Sequence, residues 1–108
     1  MLDDLTPQAR RMATGFSGGL GNTRQELCGA LSGGVLLIGA LFGRVGAAED
    51  DQLAIDLAAR YRDRFLERFG YTQCAQLREN VVDPPGGLGS CGDLVEQAAR
   101  ILLDLVNE

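Results

Sequence analysis

Three sulfurs carry most of the chemistry open to this sequence. Cys28, Cys74 and Cys91 stand in a chain of 108 residues that has no histidine and whose ten basic residues are all arginines. Serine hydrolysis lacks a base, and a phosphate-binding P-loop lacks its lysine. What remains is thiolate attack, dithiol/disulfide exchange or soft-metal ligation, supported by carboxylates, hydroxyls, arginines and backbone amides. Three cysteines are an odd and low number for an extracellular disulfide framework, and the acidic start MLDDLTPQ lacks the basic and apolar regions of a secretory signal. A cytoplasmic protein is the expectation.

The spacing around the sulfurs suggests how they are activated. Thr72 and Ser90 read as helix N-caps, so Cys74 falls at the second position of one helix and Cys91 at the first position of another. There, free backbone N–H groups and the helix dipole favour a thiolate, which makes Cys74 or Cys91 the expected nucleophile. Cys28 lies deeper in its own helix, with Arg24 one turn back as a cationic neighbour. The competing account of each cysteine is a small apolar core residue.

Five helices must hold these residues. Thr6 and Pro7 form an N-cap and first-position pair, and Leu5, Ala9, Met12, Ala13 and Phe16 recur at helical spacing until SGGLG stops the run. Thr23 and Glu26 read as a capping box opening a second helix over residues 24–42, with Cys28 in its second turn and Gly43 beyond its end. A third helix over 48–69 places Glu49, Asp50 and Asp51 at its N-terminus and Gly70 after its last turn. Its apolar face carries Ala54, Leu57, Tyr61, Phe65 and Phe69, and Asp56 and Arg60 are an i,i+4 pair on the outside. A short helix over 73–79 precedes the loop NVVDPPGGLGS. Ser90 and Asp93 then cap a last helix striped by Leu94, Val95, Ala98, Ile101, Leu102 and Leu105. No segment alternates as a strand does. The expected fold is all-α: one domain over 1–108, a compact bundle of four main helices plus one short helix around a glycine-rich central helix.

That central helix is costly. Gly29, Gly33, Gly34 and Gly39 each cost about 0.8–1.0 kcal/mol relative to alanine, so something must offset them. Gly29 and Gly33 share a stripe with Ala40 and Gly43, and Cys28, Ser32, Val35 and Gly39 form the adjoining one. Close helix packing, within the domain or across a homodimer, is the first explanation. A groove in which Gly29, Gly33 and Ser32 hold a cofactor or a partner's sulfur is the second.

Charge narrows the partners. A net charge of −5 and an isoelectric point near 4.6 argue against nucleic acid and anionic membranes. The longest uncharged run, Leu27 to Gly43, is shorter than the roughly 18–20 apolar residues that span a bilayer, so no membrane insertion is expected.

The segment CGALSG, followed by GVLLIGALFGR, resembles the C_GCAxxG_C_C family of redox-active proteins. Cys28, Gly29, Ala30 and Gly33 match the C-G-A-x-x-G hallmark, and the likeness extends from ATGFSGGLG through FLERFGYTQCAQL, with Cys74, to Cys91 before the last helix. The family pattern has one more cysteine, in a helix upstream of the glycine-rich loop, and Met12 or Thr14 cannot replace its thiolate. The resemblance implies a redox role, for which three readings stand. The first is a thiol–disulfide oxidoreductase in which two of Cys28, Cys74 and Cys91 cycle with a redox partner protein and no cofactor. The second is an electron-transfer module in which the three cysteines bind zinc, an iron–sulfur cluster or haem, a fourth ligand coming from water, Asp93 or a second subunit. The third is a non-catalytic helical dimer or adaptor.

Overall fold

In the computed structural model the described residues run from 5 to 108, and among them the fold is all-α. Helices α1 (Pro7–Met12), α2 (Gly29–Phe42), α3 (Gln52–Phe69), α4 (Cys74–Leu77) and α5 (Cys91–Val106) follow in order. The only extended pairing among these residues is a single antiparallel bridge between Leu27 and Gln73. No helix among them is long and apolar enough to cross a membrane. Asp3 and Asp4 of the acidic start lie outside the described residues.

Three long helices, α2, α3 and α5, make the core. The apolar face of α3 buries Leu57, Tyr61, Phe65 and Phe69 as expected, with edge-on ring contacts at 6.3 Å between Tyr61 and Phe65 and 4.8 Å between Phe65 and Phe69. Against it α5 buries Leu94, Ala98, Leu102 and Leu105, and α2 contributes Leu31 and Ile38. Gly70 ends α3 at φ +81°, the left-handed conformation that glycine adopts without penalty. Outside the core, Arg60 and Arg64 both reach Glu108, at 3.1 and 2.7 Å, and tie the end of α5 to α3. The expected Asp56–Arg60 pair does not form; Asp56 instead accepts from Gln52 Nε2 at 2.7 Å.

The shorter elements depart from the periodic reading. Thr6 caps α1 as expected, its Oγ1 accepting from Ala9 N–H at 3.1 Å, but the helix stops at Met12 and a 3₁₀ turn covers Thr14–Phe16. Helix α3 begins at Gln52, so the three acidic residues precede it. Helix α4 begins at Cys74 with no side-chain cap from Thr72, and widens into a π turn over Arg78–Val82. Ser90 caps as its sequence context predicts: Oγ accepts from Asp93 N–H at 3.1 Å, with Cys91 as the first residue of α5.

The largest correction concerns residues 18–28. Six residues there, Gly18, Gly19, Leu20, Gly21, Asn22 and Arg24, have positive φ, so the chain coils into a left-handed loop in place of the expected start of a helix. The Thr23 hydroxyl donates to the carbonyls of Gly19 and Leu20, both at 2.9 Å, so the capping box is replaced by a turn. The backbone groups a helix would have used pair instead with the start of α4. Cys28 N–H donates to Thr72 O at 2.8 Å, Cys74 N–H to Glu26 O at 2.9 Å and Ala75 N–H to Arg24 O at 3.0 Å. Helix α2 therefore starts at Gly29, and Cys28 is its N-cap residue.

Candidate functional site

The three cysteines border one cavity. All are free thiols, and all line one cavity of about 390 Å³ between the glycine loop, the start of α2, α4 with its π turn, and the start of α5. Each is delivered by the beginning of a helix: Cys28 at the N-cap of α2, and Cys74 and Cys91 at the first positions of α4 and α5. Phe16, Leu77, Val82 and Leu94 make the remaining wall largely apolar.

Their exposures differ in a graded way. Cys74 is buried, Cys28 half-buried and Cys91 exposed. The glycine loop packs closely on Cys74. A Cβ on Gly19, whose φ is +72°, would stand 2.7 Å from Cys74 Cβ and 2.8 Å from Arg24 Cα, so a side chain there would push the loop off the thiol.

Burial pushes the Cys28 thiol above the ordinary range. The Ala30 and Leu31 amides at the head of α2 pull the other way without full capping geometry, and negative charge on Cys74 and Cys91 adds to the rise. Cys28 is thus held as the protonated thiol. Tyr61, beneath it, donates to Ala30 O at 3.0 Å and is pushed up to about 12, first by burial and then by the charge of Cys28.

One charged side chain stands among the described residues that line the cavity, and it is Arg78 rather than the expected Arg24. Its guanidinium lies against the Cys74 sulfur and is held protonated first by that contact and then by the charge of Cys91. Its Nε is buried and has no hydrogen-bond partner. Sequence reasoning misses this residue, although it stands four positions after Cys74 and so on the same helical face. Arg24 takes its place in the periodic reading because a helix is expected to begin there.

The proposed cofactor contacts divide. Gly29 and Gly33 line the cavity, whereas Ser32 is buried with its hydroxyl turned back to the Cys28 and Gly29 carbonyls, both at 3.4 Å. Gly33 has nothing within 4 Å of where a Cβ would stand, so no close packing among the described residues of the chain requires it. The close approach belongs to Gly34, where a Cβ would collide with the Tyr61 ring. For the metal reading, no group of three or more Cys, Asp or Glu side chains among the described residues of the single chain is arranged to hold an ion.

A family model described as "Putative redox-active protein (C_GCAxxG_C_C)" matches residues 2–105. No curated protein and no solved structure matches the chain.

Proposed function

We propose, from the premise that the chain belongs to the C_GCAxxG_C_C family, that it performs thiol–disulfide exchange in the cavity that its three thiols line. The observation that carries this reading is three free thiols on one cavity wall, graded from exposed to buried, with a guanidinium among them.

Cys91 is the attacking thiol. It is the exposed member, and it begins a sixteen-residue helix whose free N–H groups favour negative charge. Its thiolate attacks one sulfur of a substrate disulfide R–S–S–R, forming a Cys91–S–S–R bond and expelling RS⁻, which takes up a proton as RSH. Cys74 then attacks the Cys91 sulfur, forming a Cys74–Cys91 disulfide and releasing the second RSH. Two electrons and two protons pass from the protein thiols to the substrate. An external dithiol, small or on a partner protein, returns them. The guanidinium of Arg78 offsets the charge that develops on Cys74 as it attacks. Cys28 is the reserve thiol: burial keeps it protonated and therefore slow.

Serine variants test the assignment with reduced protein and a chromogenic aromatic disulfide. Cys91→Ser is expected to release no aromatic thiol in a single turnover, Cys74→Ser to stop at the mixed disulfide with one equivalent released, and Cys28→Ser to release two. Equal release from all three variants would contradict the proposal.

A further inference from the structure

The disulfide-exchange reading leaves one feature of the cavity without a role. Arg78 lines the cavity as its one charged side chain among the described residues, and its guanidinium touches the Cys74 sulfur while its buried Nε–H donates to nothing. A thiol is a weak acceptor, and a planar guanidinium presents five donors, so Cys74 alone does not satisfy it; a carboxylate oxygen does.

We infer that the substrate of this cavity is a small disulfide bearing an acidic group, with a carboxylate oxygen accepting from Arg78 while the disulfide lies against Cys91. The inference rests on the exchange reading and names its substrate class. A volume of about 390 Å³ accommodates a small molecule. The walls are apolar at Phe16, Leu77, Val82 and Leu94, which suits methylene spacers between acid and sulfur. The charge argument is independent of shape. The molecule carries −5 overall and repels acidic ligands at long range, so a preference for an acid has to arise locally, and Arg78 is the cation that lines the cavity. The acid group is not consumed. The substrate disulfide accepts two electrons and two protons from Cys91 and Cys74, and both halves leave as thiols with their carboxylates unchanged.

A matched pair of probes separates this inference from the reading beneath it. Reduced protein is mixed in single turnover with 3,3′-dithiodipropionate or with its uncharged diamide, and the thiol released is followed for each. The expected result is a preference for the diacid of roughly tenfold, the scale of a hydrogen bond to a charged group. Arg78→Gln is expected to bring the ratio to about one or below, and Arg78→Lys to keep part of it, since the charge survives and the planar fork does not. The ratio is the readout because a change in thiol reactivity alters both rates alike. Wild-type protein that reduces both probes equally, or an Arg78→Gln variant that keeps the preference, overturns the inference and leaves the exchange reading standing. Wild-type protein that reduces neither probe overturns both.

Discussion

At the scale of single residues, position decides which sulfur reacts. Cys91 is exposed, Cys74 lies under the glycine loop beside Arg78, and Cys28 is held protonated by burial. Alkylation of native protein by iodoacetamide, resolved by peptide mass spectrometry, is therefore expected to label Cys91 first. Cys28 is expected to be slow at neutral pH and still accelerating as the pH passes 9, because its folded value lies above that of an ordinary thiol. Equal rates at the three sites would show that the grading is absent in solution. All three sulfurs are legible in the sequence, and for Cys91 its helix position too, because Ser90 is a strong local cap. Arg78 is not. Its place depends on α4 starting at Cys74, where Glu26 O and Arg24 O accept from the Cys74 and Ala75 amides, and on the π turn that follows.

At the scale of elements, α2 shows that its glycines serve different ends. A methyl on Gly34 meets the Tyr61 ring, whereas Gly39 is exposed, with nothing within 4 Å of where a Cβ would stand. Gly39→Ala is expected to stabilise the fold by about 0.8–1.0 kcal/mol through helix propensity. Gly34→Ala is expected to destabilise it, by about 1–3 kcal/mol of overpacking, despite the same gain in propensity. Urea midpoints of the two variants check this contrast, and a stabilised Gly34→Ala would remove the argument for close approach. Tyr61 adds a pH signature. Its folded value of about 12 exceeds the ordinary 10, so the folded state favours the protonated phenol. Its contribution to stability is complete below pH 10 and is lost as the pH rises towards 12. Tyr61→Phe is expected to lower the thermal midpoint at neutral pH, through the lost bond to Ala30 O, and to flatten the decline between pH 10 and 12. Helices α3 and α5 can be read from periodicity because their buried faces recur at 3.6 residues. The loop over 18–28 cannot, because left-handed Leu20, Asn22 and Arg24 break local preference in favour of long-range pairing with Thr72, Cys74 and Ala75.

At the scale of the whole molecule, three long helices form the frame while the short elements and loops make the site. The all-α class follows from patterning alone, and the family from CGALSG and the order of the cysteines. The sharing of one cavity by the three cysteines follows from neither, since it depends on how the heads of α2, α4 and α5 come together. A Cys74–Cys91 disulfide would close the loop between α4 and α5, and a closure of about 17 residues is worth about 3 kcal/mol in the chain-entropy model. Oxidised protein is accordingly expected to unfold at higher urea than reduced protein, with the difference absent in Cys91→Ser. The most direct test of thiol exchange at this site is a redox titration of the native protein in dithiol/disulfide buffers, quenched by alkylation and mapped by mass spectrometry. The expected result is one two-electron transition that joins Cys91 to Cys74 and leaves Cys28 free. Three alkylatable thiols at every potential, or a disulfide that excludes Cys91, would contradict it.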